Sequence, residues 1–212
     1  MLSQDQLDRL RTIAAERCAD AEPAHDFLLV LRVMENGRRI AAAEGADVSV
    51  VVAAALLHEL FNYPKNHPES HLSGEVCADH AAQVLAAEGY PQEFADQVCY
   101  CIRVHSFSRG VIPDTQEAKV LQDADRLDAI GAIGIARCFS TGAVMGRPFY
   151  HAEDPFCRNR TPDDKEWTTD HFYRKLLKIP GTLHTETGKR LAEERTRYME
   201  AYLQQLQREL QG

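Results

Sequence analysis

Two ionisable side chains, His58 and Glu59, close a segment that is apolar from Val50 to Leu57. A charge placed there costs free energy unless it is paired, bound to a metal, or exposed where a helix ends. Asp125 poses the same problem. It lies inside V-L-Q-D-A-D-R-L-D-A-I, flanked by Ala124, Leu127 and Ile130. An imidazole and carboxylates converging from separate helices make a donor set for Mn, Fe, Ni or Zn. The same residues have a structural reading, in which Glu59 reaches solvent as its helix frays and Asp125 pairs with Arg126 or Arg103. Spacing alone leaves both open.

Further residues stand within reach of such a centre. Lys65 and His67, in P-K-N-H-P, follow directly on His58-Glu59. A loop there would overhang the site, and its lysine could steady a polyphosphate; otherwise it is a solvated surface loop. His105 opens H-S-F-S and could donate to a phosphate or orient water, or it could simply end a helix, where an imidazolium suits the C-terminal dipole. Asp128 lies one helical turn from Asp125 and, with Arg126, could support the same pocket or form a surface ion pair. His80, His151 and His184 have no supporting context and read as surface or capping residues.

The elements that must position these residues read as helices almost throughout. Ser3 to Cys18 alternates apolar and charged residues at helical spacing, with Ser3 as N-cap. Asp26 to Glu44 forms a second helix, ended by Gly45. Asp47 caps the apolar segment, whose alanines and length favour a buried helix over a strand. Two prolines and two asparagines make 61–69 a loop. Helices follow over Gly74–Glu88 and Pro91–Val104, then a loop over 106–115. One or two helices span Gln116–Ser140, and a long Gly- and Pro-rich loop spans Gly142–Asp164 with the placing of a lid. Thr168–Lys178 and His184–Leu210 are the last helices, separated by Ile179-Pro180-Gly181. Gly131 and Gly134 follow no strand, so they suit close helix packing rather than a phosphate loop. The expectation is a single all-α domain over 1–212, a compact helical bundle with chemistry in irregular loops at one end.

Composition narrows the function. A net charge of −8 and a pI near 5.6 disfavour binding to nucleic acid polymers, while leaving room for a locally positive pocket. The first residues are amphipathic and charged rather than signal-like, and no apolar run has membrane length, so a cytoplasmic protein without a membrane partner is expected. None of the six cysteines forms a C-x-x-C pair; reduced, mostly buried thiols are expected.

The strings H-D-F-L-L-V-L-R-V (25–33), A-A-L-L-H-E-L (54–60), H-S-F-S (105–108) and Q-D-A-D-R-L-D-A-I-G-A-I-G-I-A-R (122–137) resemble the HD superfamily of metal-dependent phosphohydrolases. With H-F-Y-R-K-L-L (171–177) they look closest to its small bacterial nucleotide pyrophosphohydrolases, over about residues 20 to 205. The resemblance implies an HD-type helical bundle and a divalent metal (Mn, Fe, Ni, Zn or Mg) held by His58, Glu59 and Asp125. It matches His105 as a further catalytic group; by their positions beside that site, Lys65 is taken as catalytic too, and Lys65, His67, Arg126 and Asp128 as residues near a small phosphorylated substrate. In that pattern the metal activates water for attack on phosphorus while cations stabilise the developing charge.

Two positions depart from the pattern. The family's first histidine ligand falls on Leu29, which cannot ligate, and Glu59 replaces an aspartate, lengthening the carboxylate arm by a methylene. His25 lies one helical turn before Leu29 and could substitute, or could serve as a cap. Three functions therefore remain open: a weakened nucleotide hydrolase, a catalytically silent protein that binds a small ligand or partner, and a hydratase or lyase on the same scaffold.

Overall fold

The computed structural model describes residues 2–19, 26–63, 67–106 and 110–211, and these contain helices and turns without a strand. Their contacts form two compact units, Met1–Asp125 with His184–Thr187 and Arg126–Leu183 with Gly188–Gly212. No single helix is long and apolar enough to cross a membrane.

The first unit contains α1 (Gln4–Arg17), α2 (Phe27–Glu44), α3 (Val48–Leu57), α4 (Ser73–Ala87), α5 (Gln92–Val104) and α6 (Gln116–Asp128) up to Asp125. Each early start follows from a polar cap. Ser3 and Gln6 form a reciprocal capping box on α1, the Asp26 carboxylate accepts from the Leu29 amide, and the Asp47 carboxylate accepts from Ser49 and Val50. Gly45 ends α2 at φ 72°, a left-handed turn that costs a side chain little only when there is none. The chain then reverses into α3, which is buried from Ser49 to Leu57 and packs against α1, α2 and α5. This answers the period ambiguity of its sequence: a helix covered on all sides shows no polar face. Gly37 on α2 lets α3 come close, since a Cβ there would stand 2.8 Å from Val51 Cγ1. α4 and α5 pair with one another.

The second unit holds α7 (Gly131–Val144), α8 (Asp170–Arg174), a 3-10 segment (Leu176–Thr182) and most of α9 (Glu186–Gln211). The stretch expected to hold one or two helices breaks in two. Gly131 sits at φ 76°, and its missing Cβ leaves room for the Arg195 stem at about 3.0 Å. A Cβ on Gly134 would collide with the Ala129 carbonyl, so both glycines serve close packing.

Three boundaries differ from expectation. α7 continues past Gly142 to Val144, because that glycine is packed against Thr168 and is not a turn. The helix expected over 168–178 is a five-residue turn followed by 3-10 geometry, which runs through Pro180 instead of stopping before it. Proline's fixed φ suits 3-10 dihedrals. α9 starts at Glu186, two residues late, because the backbone of His184 and Thr185 bonds to Asp123.

The segment between α7 and α8, read from sequence as a long loop with the placing of a lid, is held by local bonds. Asp154 accepts from the amides of Arg158 and Asn159, and these bonds hold its carboxyl below the usual range. Arg160 makes a bidentate pair with the fully buried Asp170 (2.6 Å for the Nη2 arm) and stacks 4.6 Å over Trp167. All six cysteines are free and only Cys157 is not buried, as expected of reduced thiols.

Candidate functional site

His58 and His105 are built alike. Each is the residue that caps a helix C-terminus, His58 for α3 and His105 for α5. Each ring turns back so that Nδ1–H donates to the carbonyl three residues earlier, Ala55 at 2.7 Å and Ile102 at 2.6 Å. The last turn of a helix leaves carbonyls without helical partners, so the sequence position itself supplies the acceptor. The bond fixes the tautomer: with the proton on Nδ1, Nε2 carries the lone pair. The two rings meet edge to face with centroids 5.3 Å apart.

Two carboxylates stand near this pair. Glu59 Oε1 is 3.8 Å from His58 Nε2. Burial, then the neighbouring His58, push the His105 pKa down from its ordinary value, while Asp125 and Glu59 act on it in the opposite sense. His58, Glu59, His105 and Asp125 are thus gathered in one unit. His58 is buried, and the other three are partly exposed. α4 fixes the end of α3 from below: the Cys77 thiol lies 3.3 and 3.1 Å from the carbonyls of Leu57 and His58. Burial pushes that thiol up to about 12, so it stays protonated and donates.

The other expected residues lie elsewhere or have other employment. His67 stacks on Tyr63 at 4.5 Å and its Nδ1 accepts from the Glu69 amide. Lys65 and His25 fall outside the described residues. Arg126 is buried and donates to the Thr182 carbonyl. Asp128 is buried as well, and pairs with Arg137 at 2.9 Å. Arg103, one expected partner of Asp125, pairs with Glu75 instead. Three histidines read as surface or capping residues have definite places: His80 stacks on Phe61, His151 accepts from the amides of Glu153 and Asp154, and His184 contacts Gln122.

The donor set falls short of a complete metal site. Among the described residues, no three or more His, Cys, Asp or Glu side chains form a group that could hold a metal ion. Leu29, where the resemblance calls for an imidazole, is 1% exposed and part of the core. What remains is one imidazole nitrogen with two carboxylates, one imidazole fewer than the set the resemblance calls for.

Gln122 carries no role in the sequence reading, and Asp123 stands out there only as a second acid in the apolar run that holds Asp125. Both are fully buried on α6 and both hold backbone groups near His105 or α9. Two adjacent polar residues inside an apolar stretch were the available signal, because buried polar groups require partners.

Comparison with known proteins places these features in context. Residues 30–130 match the HD domain model. The Bacillus subtilis protein YpgQ, itself uncharacterized, is 34% identical over 211 residues, covering 98% of this chain and 95% of its own. The crystal structure of YpgQ in complex with ADP superposes with a TM-score of 0.76, at 35% identity, over 98% of this chain and 99% of that one. An HD-superfamily hydrolase from Bacillus thuringiensis superposes with a TM-score of 0.75, at 29% identity, over 99% and 98%.

Proposed function

The chain belongs to the HD-domain family, and from that premise we propose that it is a phosphohydrolase acting on a nucleotide or a related small phosphorylated compound, with a metal centre weakened by ligand replacement. The observation that carries the reading is the pair of histidines at the ends of α3 and α5, each held through Nδ1 to its own helix end and set edge to face, with Glu59 and Asp125 near them. The crystal structure of the relative YpgQ with ADP supports a nucleotide as the class of ligand.

His58, Glu59 and Asp125 are the residues left to hold a divalent ion, and the set is one imidazole short. The chain's own groups can still orient a phosphate ester. Neutral imidazole nitrogens accept a proton from water or donate once protonated, and the low His105 pKa keeps its ring in the accepting form near neutrality. The buried Leu29 favours a second reading, a protein that binds the nucleotide and does not turn it over.

One experiment separates the two. The protein and its Leu29→His/Glu59→Asp variant are offered Mn, Fe, Ni and Zn, assayed for bound metal by plasma mass spectrometry, and screened against nucleoside di- and triphosphates. The hydrolase reading expects sub-stoichiometric metal and slow release of phosphate or pyrophosphate, with both rising at least about tenfold in the variant. Nucleotide binding with no hydrolysis by either protein would establish the silent reading and overturn the first.

A further inference from the structure

Behind His105 lies a buried polar network that the reading above does not use. We propose that Gln122 is a positioning residue that fixes His105 in the site, and that His184 holds Gln122 in turn. The part that concerns turnover rests on the phosphohydrolase reading; the part that concerns geometry does not.

Gln122 is 0% exposed and sits three residues before Asp125 on α6. Its amide nitrogen donates to two carbonyls, Val104 at 2.7 Å and Val111 at 2.9 Å. These carbonyls flank the segment that begins with His105. Val104 is the last residue of α5, and its carbonyl is one that the helix cannot satisfy. A side-chain amide from α6 takes the place of water there. His105 is therefore held twice, through the carbonyl before it by Gln122 and through its ring by Ile102.

The amide of Gln122 is itself fixed. Its Oε1 accepts from His184 Nε2 at 2.8 Å, so both hydrogens and the oxygen are committed. A flip of the amide would set its oxygen against two carbonyls. His184 is seated by the next residue along α6. The Asp123 carboxylate, fully buried, accepts from the His184 amide at 2.9 Å, the Thr185 amide at 2.8 Å and the Thr185 hydroxyl at 2.7 Å. The path runs from Asp123 to His184, to Gln122, to the Val104 carbonyl, and so to the residue whose ring faces His58. Every donor on it is paired, and such a network holds one geometry because each alternative strands a buried polar group.

The alternative is that Gln122 merely ends a helix and adds stability without setting where His105 points. Ring spectra and turnover distinguish them. The full-length protein is labelled with 15N-histidine, and Gln122→Met, which keeps the volume and removes both donors, is compared with Leu10→Ala, which weakens the α1 packing of the same unit. In Gln122→Met the His105 ring resonances move, the His151 resonances stay, and amide exchange at His105 and Ser106 rises roughly tenfold or more beyond the change in Leu10→Ala. His184→Ala, a milder change because the side chain is only half-buried, gives the same pattern at smaller size and keeps the test open should Gln122→Met not fold. On a nucleotide substrate, kcat falls about tenfold in Gln122→Met while KM stays within about twofold. The proposal is overturned if the folded variants leave the His105 ring and exchange as they are in the unsubstituted protein, or change them no more than Leu10→Ala does. Absence of hydrolysis in the unsubstituted protein overturns the phosphohydrolase reading alone, since ring and exchange data still decide the role of Gln122.

Discussion

Replacing Leu29 with histidine should produce a protein that is less stable without metal and largely recovered with it. Leu29 is 1% exposed. Removing that side chain from the core forfeits about 2 kcal/mol of burial. Leaving an unmatched imidazole in its place costs roughly a further 1–3 kcal/mol. The metal-free variant should thus lose about 3–5 kcal/mol, which for a chain of this length is a fall in Tm of roughly 6–20 °C. If the new imidazole completes a ligand set with His58, Glu59 and Asp125, metal at a hundred to a thousand times its Kd returns about 2.7–4.1 kcal/mol. Most of the loss is then restored. The assay is a thermal melt of Leu29→His and Leu29→His/Glu59→Asp in chelator and in excess Mn2+. Leu10→His serves as the control, because Leu10 is equally buried and belongs to no ligand set. All three should melt low in chelator. Only the two Leu29 variants should recover, the double variant more fully, since aspartate returns the carboxylate to its shorter arm. No metal-dependent recovery in either Leu29 variant would refute the placement of Leu29 at the ligand position.

Three further outcomes follow from the second unit. Gly142→Ala should cost about 1–3 kcal/mol in urea unfolding, because its Cβ would overlap the Thr168 hydroxyl and stand 2.7 Å from Thr168 Cγ2; adding Thr168→Ala should recover most of it. Arg160→Met should cost about 3 kcal/mol or more by calorimetry, since it strands the buried Asp170 carboxylate, and Asp170→Asn in the same chain should lessen the loss. Acid stability should track Asp170. Burial opposes its ionisation, but Arg160 and the Asp163 amide outweigh burial and hold its pKa below the ordinary 3.8. Its contribution is therefore present above pH 4 and lost as the pH falls through the lower folded value. A pH series of urea midpoints should show a shallower loss below pH 4 in Asp170→Asn than in the unsubstituted protein.

The helices of the first unit were readable because each is marked where it starts or stops. Ser3, Asp26 and Asp47 are caps, and Gly45 is a left-handed terminator, so the local backbone chemistry and the tertiary structure agree. The second unit was harder. Gly142 carries the same residue type as Gly45 but has another purpose, close approach to Thr168, and sequence does not separate the two uses. Pro180 read as a break and is instead accommodated in 3-10 geometry. The late start of α9 depended on Asp123, sixty-one residues earlier than the amide it holds.

The site divides along the same line. His58, Glu59 and Asp125 stood out because each breaks an apolar pattern, and a break in pattern is a local signal. What the sequence did not reveal is how the imidazoles are aimed, because aiming is done by carbonyls, and every residue has one. The bonds from Nδ1 to Ala55 and Ile102 arise wherever a histidine ends a helix with its ring turned inward, and only the fold decides that. Arg126 and Asp128 show the converse. Their charges sit beside Asp125 in sequence, yet Thr182 and Arg137 engage them. Within one helix, a step of a single residue turns a side chain by about 100°. Arg126, the immediate neighbour of Asp125, therefore has to face different surroundings, whereas Asp128, a full turn along, is engaged by Arg137; the face occupied by Gln122 and Asp125 is the one that serves the histidines.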